Sequence, residues 1–184
     1  MRISPFSGKF YTFFPVTLFK IHQPAMLQIV SISVRKARTS DIVLITDFNA
    51  RMALETERKK LDLNVLRRGV TAVISDPAKG MYYVAEFDGE VVGQTLVTYE
   101  WSDWRNGTFW WIQSVYVPEQ WRGKKVFATL YKHIEQMAQS APAVCGLRLY
   151  VERHNARAQA TYEKLGMTKT EYDLFERDFT RTVP

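Results

Sequence analysis

Hydrophobic residues recur along this chain with two different spacings, and the changes of spacing mark where strands and helices alternate. Apolar and polar residues alternate over 28–37, which predicts a first strand. Two helical patterns follow, over 39–52 and 63–74. Alternation then returns over 81–87, 90–101 and 109–117, which predicts three consecutive strands joined by polar turns.

The remaining third of the chain adds two more helices. An amphipathic pattern covers 122–140, a strand pattern covers 147–152, and a short helix follows between Asn155 as N-cap and Gly166 as C-terminal residue. One or two final strands are predicted within 167–179. The order β-α-α-β-β-β-α-β-α-β predicts a single α/β or α+β domain over residues 29–184.

Composition agrees with one globular domain, because 184 residues with 46% apolar and 24% charged residues can form one ordinary core. The formal charge is +6, and residues 1–25 supply half of it with three basic and no acidic residues. We favour the interpretation that residues 1–28 are a disordered extension outside the domain, with Met26 as the true start. A targeting segment and an integral first element are the alternatives.

Several classes of protein lack support in the sequence. One cysteine and three histidines exclude an intrachain disulfide and argue against a metal site, and the lone thiol suggests a reducing, cytoplasmic location. No apolar stretch is long enough to span a membrane. No Gly-x-Ser-x-Gly, P-loop or Gly-x-Gly-x-x-Gly motif is present, so hydrolase, NTPase and Rossmann interpretations are unsupported.

The segment Gln113–Val126 carries the first candidate chemistry. A strand ends at Pro118, a short turn follows, and the pattern predicts a helix that begins near Gly123. The first amides of a helix have no internal partner and lie at the positive end of its dipole, so they bind anions. Gly123 allows close approach to the backbone, and basic side chains flank it. An ordinary turn with solvated basic residues is the competing interpretation.

A second group of residues lies on the last helix. Ala158, Tyr162 and Leu165 share one helix face, and the small Ala158 leaves room beside the Tyr162 phenol. Tyr162 could therefore act as a general acid. A packed core tyrosine and a simple cap at Asn155 are the competing interpretations.

Together, the two segments resemble the GCN5-related N-acetyltransferase (GNAT) family in order and spacing. The phosphate-binding signature of that family, Gln/Arg-x-x-Gly-x-Gly/Ala, matches Gln120 to Lys125, and its second motif matches Asn155, Ala158, Tyr162, Gly166 and Met167. The resemblance implies a mixed, mostly antiparallel central sheet flanked by helices, with a cofactor cleft at the splayed middle strands. It also implies acetyl-CoA as acetyl donor and direct attack by an amine.

The resemblance assigns roles to particular residues. Tyr162 would protonate the departing thiolate, and Asn155 would bind the cofactor arm. The other predicted cofactor contacts lie on the strand end and the turn: Val115, Tyr116, Val117, Gln120, Arg122, Gly123, Lys124, Lys125, Val126 and Phe127. Lys125 departs from the Gly or Ala of the signature, so its side chain would either narrow the approach or contact a phosphate.

The resemblance does not assign a general base. Family members often carry a glutamate on the strand that here contains Trp111 and Gln113, and neither residue can accept a proton at neutral pH. A water chain could end at Glu55, Glu57, Glu100 or Glu152, or the amine could arrive neutral. Glu55, Glu57, Trp111 and Gln113 are candidate acceptor-binding residues, with solvated charge and hairpin packing as the alternatives.

Three functions therefore compete. The first is an N-acetyltransferase acting on a small-molecule or peptide amine. The second is a catalytically weak acyl-CoA-binding sensor on the same fold, because the strand carboxylate is missing. The third, a nucleic-acid-binding protein, is disfavoured because the basic residues do not form one stripe with interleaved aromatics. The Trp-rich turn near 101–111 makes a homodimer plausible.

Overall fold

The computed structural model describes residues 31–179. Within these residues, five strands form one sheet: β1 (Ser33–Lys36), β2 (Met81–Phe87), β3 (Glu90–Ser102), β4 (Gly107–Tyr116) and β5 (Val144–Arg148). Four α-helices flank it: α1 (Ile42–Glu57), α2 (Leu63–Ser75), α3 (Val126–Gln139) and α4 (Ala156–Lys164). The predicted order of elements is confirmed as far as α4, and the mixed, mostly antiparallel sheet is confirmed with it. The predicted extension of residues 1–28 lies outside the described residues.

The strands lie in the sheet in their chain order, from β1 to β5. Neighbours from β1 to β4 are antiparallel, and a tight turn joins β2 to β3. Asp88 and Gly89 both adopt positive φ there, of 50° and 78°, as the predicted two-residue hairpin requires. β5 runs parallel to β4, so the chain must cross over between them, and α3 is that crossover.

Each face of the sheet packs against different helices. α1 and α2 cover one face through a cluster around Ile45, Val70 and Leu96. α3 covers the other face through Leu130 and Ile134, both fully buried. The alternation of strand residues explains this division, because successive side chains point to opposite faces.

Two predictions about the end of the chain are wrong. β5 ends at Arg148, although the alternating pattern predicted a strand over 147–152, because pairing with β4 stops at Trp111 and Arg148. Described residues 167–179 contain no strand. The apolar side chains of this segment, such as Leu174 and Phe175, are 72% and 92% exposed, so no neighbouring layer stabilises a pleated conformation there.

In residues 31–179, no helix is both long and apolar enough to cross a membrane.

Candidate active site

β4 extends beyond its neighbour β5. The last pair between them is Trp111 and Arg148, whereas β4 continues to Tyr116. Over 112–116, β4 therefore pairs only with β3 in the described part of the chain. One edge of this segment presents backbone N–H and C=O groups that are available to a ligand.

A β-bulge interrupts β4 at the same place. Gln94 pairs with Tyr116 and Leu96 pairs with Gln113, so one residue of β3 faces two residues of β4. Ser114, one of these two residues, has a φ of 49°. The bulge bends β4 away from a regular ladder at the place where its edge is free of β5.

A buried polar network supports the bulge from the side of α1. Gln94 is fully buried, and its Nε2 donates to Asn49 Oδ1 at 2.7 Å and weakly to the Ser114 carbonyl at 3.5 Å. The Thr95 hydroxyl donates to the Gln113 carbonyl at 3.0 Å, and Asn49 Nδ2 donates to the Tyr82 hydroxyl at 3.0 Å. Buried polar groups of this kind fix one backbone geometry because leaving them unpaired is costly.

The turn before α3 presents unpartnered amides at its surface. Gly123 and Lys125 both adopt positive φ, of 78° and 65°, and no side chain caps the helix. Within residues 31–179, no backbone acceptor is found for the amides of Gly123, Lys125, Val126 and Phe127. Because these N–H groups lie at the positive end of the α3 dipole, they form a site suited to an anion.

This turn also corrects the predicted start of the helix. α3 begins at Val126, whereas the sequence pattern predicted a start near Gly123. Left-handed backbone at Gly123 and Lys125 is incompatible with a right-handed helix through these positions. Lys125 therefore occupies a position whose conformation favours glycine, one of the two residues of the signature at that position.

The Arg122 side chain is bound by the backbone of Val117 and by Glu55. Its Nε donates to the Val117 carbonyl at 2.9 Å, and its Nη2 pairs with Glu55 at the end of α1. Glu55 also accepts a hydrogen bond of 2.8 Å from the Tyr116 hydroxyl. Burial alone would raise the pKa of Glu55, but the hydrogen bonds from Arg122 and Tyr116 together lower it. Glu55 therefore ties α1 to the turn and is a poor proton acceptor.

The other predicted residues of the turn differ in exposure. Gln120 is exposed, and the Lys124 ammonium lies 4.8 Å from the centre of the Trp121 ring. Val126 is buried against Gly93 of β3, where an added Cβ would lie 2.7 Å from Val126 Cγ1. The absence of a side chain at Gly93 therefore allows the N-terminus of α3 to approach the sheet closely.

α4 carries Asn155 as its N-cap and Tyr162 near its C-terminus. The Asn155 Oδ1 accepts from the Ala158 amide at 3.0 Å, so its predicted role as N-cap is confirmed, while its Nδ2 has no partner in the described residues. The Tyr162 ring packs edge-on against Phe127 of α3, with centroids 5.6 Å apart. Burial raises the pKa of Tyr162, so its hydroxyl keeps its proton at neutral pH.

The candidate acceptor-binding residues do not all lie together. Trp111 and Gln113 lie on the same face of β4, and Gln113 Nε2 donates to Thr98 at 2.5 Å. Glu57 is exposed and pairs with Lys59, away from these two residues in the chain. The structure thus brings Trp111 and Gln113 together and does not group Glu57 with them by any contact.

The two other carboxylates considered as bases are also engaged. Glu100 accepts from the Trp111 indole and pairs with Arg148 at 2.6 Å. Glu152 accepts from the backbone N–H of His154 at 2.8 Å. Glu100 is therefore the carboxylate in contact with the Trp111 side chain, although both its oxygens already have donors.

The buried polar network beside the bulge was not predicted from the sequence. Gln94 and Asn49 lie 45 positions apart, and each occurs within an otherwise apolar pattern. Gln94 itself indicates such a network, because a glutamine inside a predicted central strand requires a buried hydrogen-bond partner. The sequence does not indicate which partner that is.

The comparisons with known proteins agree with this arrangement. Residues 47–167 match the family model described as the acetyltransferase (GNAT) family. The chain belongs to this family. The match runs from within α1 to just beyond α4 and therefore includes both the free edge of β4 and the uncapped turn before α3. No protein among the curated ones matches the chain.

Solved structures share the GNAT fold. One, described as a possible acetyltransferase from Clostridium difficile 630, is 46% identical, with a TM-score of 0.75 over 80% of this chain and 97% of its own. A predicted acetyltransferase from Clostridium acetobutylicum, solved with acetyl-CoA, is 16% identical, with a TM-score of 0.66 over 80% and 96%. The ribosomal-protein-alanine N-acetyltransferase from Brucella melitensis biovar Abortus 2308 is 16% identical, with a TM-score of 0.66 over 81% and 99%. The last two likenesses concern the fold alone.

Proposed function

We propose that this GNAT acetyltransferase transfers the acetyl group of acetyl-CoA to the amine of a small molecule or peptide. The observation that carries the proposal is the pairing of two features: a free backbone edge on β4 and, directly after it, a turn with unpartnered amides. An extended amide-containing arm that ends in a diphosphate is complementary to this pair of features. Membership of the family and a fold shared with a protein solved with acetyl-CoA support it.

The end of β4, the turn before α3 and Asn155 would each contact a different part of the cofactor. The backbone of Val115 to Val117 would pair with the amide-containing arm along the free edge. Of the amides from Arg122 to Phe127, those of Arg122 and Lys124 already donate to backbone carbonyls, and the other four would hold the diphosphate. The side chains of Lys124 and Lys125 would add positive charge. The Asn155 Nδ2, which has no partner in residues 31–179, would donate to the arm.

The chemistry then requires few side chains. The bound thioester supplies the acetyl group, and the acceptor amine attacks its carbonyl directly. A backbone amide of 114–117 would donate to the carbonyl oxygen as negative charge develops. Tyr162, protonated at neutral pH, would give its proton to the departing thiolate. Because Glu55, Glu57, Glu100 and Glu152 already have donors, we propose that the amine arrives neutral or loses its proton to water before attack. After attack the nitrogen loses a proton to water, and water returns one to Tyr162.

The experiment has two readouts on the full chain. Acetyl-CoA should raise the melting temperature, and thiol release should follow with some member of an amine panel. Tyr162→Phe should lower turnover by about 100-fold or more if Tyr162 is the acid, while the acetyl-CoA shift stays the same. Tyr172→Phe, at an 82% exposed tyrosine, is the matched control and should have unaltered turnover.

The outcomes separate the candidates. Unaltered turnover in Tyr162→Phe would remove Tyr162 from the acid role. Stabilisation by acetyl-CoA without turnover on a broad panel would favour the acyl-CoA sensor. The observation that favours this second function is that every candidate carboxylate already accepts a hydrogen bond.

The homodimer expected from the sequence is tested by light scattering. The hairpin residue Trp104, which is 87% exposed, is the residue to substitute.

A further inference from the structure

Phe109 of β4 is a buried aromatic residue with two guanidinium groups against its ring. It is 7% exposed, and the Arg148 and Arg105 guanidinium carbons lie 3.8 Å and 5.0 Å from its ring centre. Gly146 of β5 makes room for the ring, since a Cβ there would lie 2.7 Å from Phe109 Cε1. We call Phe109, Arg105 and Arg148 the arginine shelf.

The arginine shelf has more hydrogen-bond donors than it uses. The Arg148 side chain gives one hydrogen bond, from Nη1 to Glu100, and no other side-chain hydrogen bond of Arg148 or Arg105 is found in residues 31–179. Glu100 is the one carboxylate that binds the shelf there, and Asp103 of the same hairpin accepts from the backbone N–H of Trp104. Two positive charges thus face one negative charge, and the unused N–H groups can bind an anion.

The shelf lies along the strand from the proposed reaction centre. Phe109, Trp111 and Gln113 share one face of β4, and Gln113 directly precedes the bulge residue Ser114. Phe109 is four residues from Gln113, or about 13 Å along a strand. The Arg148 guanidinium carbon also lies 6.0 Å from the centre of the Trp111 ring, so Arg148 is near both Phe109 and Trp111. An anion bound to the shelf would therefore lie about 7–13 Å along β4 from Gln113.

The carboxylates that would attract a polycationic acceptor are already paired. Glu55 binds Arg122, Glu57 binds Lys59, and both oxygens of Glu100 accept hydrogen bonds. The unpaired charge on this face is positive instead. An acceptor with an anionic group at the right distance from its amine fits these charges better than a polyamine does.

We propose that the acceptor amine carries a carboxylate or phosphate at its far end, and that Arg148 and Arg105 bind this group over Phe109. The proposal rests on the proposed function and names the class of acceptor for the same site. The distance favours an extended molecule or short peptide with amine and anion at opposite ends, while Trp111 contacts the part between them.

The test compares matched acceptors on the full chain. Linear ω-amino acids of increasing length are assayed for thiol release beside their carboxamides, and ω-aminoalkyl phosphates form a third series. We expect the best carboxylate or phosphate to have a KM about tenfold lower than its neutral counterpart, with the preference weakening as salt is added. Comparison of the carboxylate and phosphate series identifies the anion.

Variants identify the residues responsible. Arg148→Gln and Arg105→Gln should each reduce the preference for the anionic acceptor and leave the acetyl-CoA thermal shift unaltered. Arg67→Gln on α2 removes the same charge elsewhere and should keep the preference. The thermal shift caused by the same acceptors in the presence of CoA is measured in parallel, because it reports binding without turnover.

The results distinguish this inference from the proposed function. Turnover with equal or lower KM for the carboxamides would overturn the inference and leave acetyl transfer intact. An Arg148-dependent thermal shift from anionic acceptors without any turnover would support the shelf and contradict the transferase function. A preference that persists in both arginine variants would also overturn the inference.

Discussion

Gly93 is the position at which one added methyl group should disturb the cofactor site. A Cβ there would lie 2.7 Å from Val126 Cγ1 and 3.3 Å from the Tyr116 carbonyl oxygen. Carbon atoms in contact are normally about 3.5–4.0 Å apart, so Gly93→Ala requires Val126 to move by about 1 Å. Val126 begins α3 and Tyr116 ends β4, so the displacement falls on both halves of the proposed acetyl-CoA site.

The expected effect follows from the cost of overpacking. Inserting a methyl group into a close-packed site destabilises by about 1–3 kcal/mol. At about 2–4 °C per kcal/mol for a chain of this size, the melting temperature should fall by about 2–12 °C. Acetyl-CoA should also raise the melting temperature of Gly93→Ala by less than that of the unaltered protein. Thermal unfolding with and without acetyl-CoA measures both effects.

Gly69→Ala in α2 is the matched control, because nothing lies within 4 Å of a Cβ at that position. Alanine is the better helix former by about 1 kcal/mol, so this variant should melt slightly higher and respond normally to acetyl-CoA. If Gly93→Ala melts like Gly69→Ala and gains as much from acetyl-CoA, then α3 does not depend on the close approach at Gly93 and the reasoning is refuted.

Three further substitutions test the surroundings of the site. Glu55→Gln should lower stability at neutral pH by less than about 1 kcal/mol, because the Arg122 pair is about 40% exposed. Because folding lowers the pKa of Glu55, the carboxylate stabilises the protein at pH values above the ordinary carboxyl pKa, and this stabilisation should disappear as the pH falls through the pKa of the folded protein. Urea unfolding at both ends of that pH range measures it; the same stability difference between Glu55→Gln and the unaltered protein at both pH values would contradict the prediction. Gln94→Leu should cost about 1–3 kcal/mol and slow turnover more than it weakens acetyl-CoA binding, because Asn49 and the Ser114 carbonyl lose a buried donor; equal effects on kcat and cofactor Kd would argue against a role in shaping the bulge. Lys125→Gly should raise the melting temperature, because a left-handed conformation costs a non-glycine residue about 1–2 kcal/mol; a lower value would contradict that conformation.

Local patterns predicted most elements because each pattern has a local physical cause. Asp88 and Gly89 tolerate positive φ, so they predicted the hairpin correctly. Asn155 caps α4 through its own side chain, which needs no distant partner. The helix of 122–140 was predicted to begin too early, because left-handed residues in the turn override an apolar pattern that continues through it.

The elements that were predicted wrongly depend on partners elsewhere in the chain. The alternation over 147–152 is real, yet β5 ends at Arg148 because β4 stops pairing at Trp111. The segment 167–179 has a similar pattern and no strand, since a strand requires a ladder as well as an alternation.

The sequence by itself determined the order of helices and strands as far as α4, the place of the turn before α3 and the family resemblance, because caps and tight turns are encoded by neighbouring residues. The tertiary structure alone decided how charges pair: that Glu55 holds Arg122, that Glu100 is bound by Trp111 and Arg148, and that Gln94 reaches the bulge. These contacts join residues from 11 to 67 positions apart, and their strength depends on burial and distance, which only the folded chain defines.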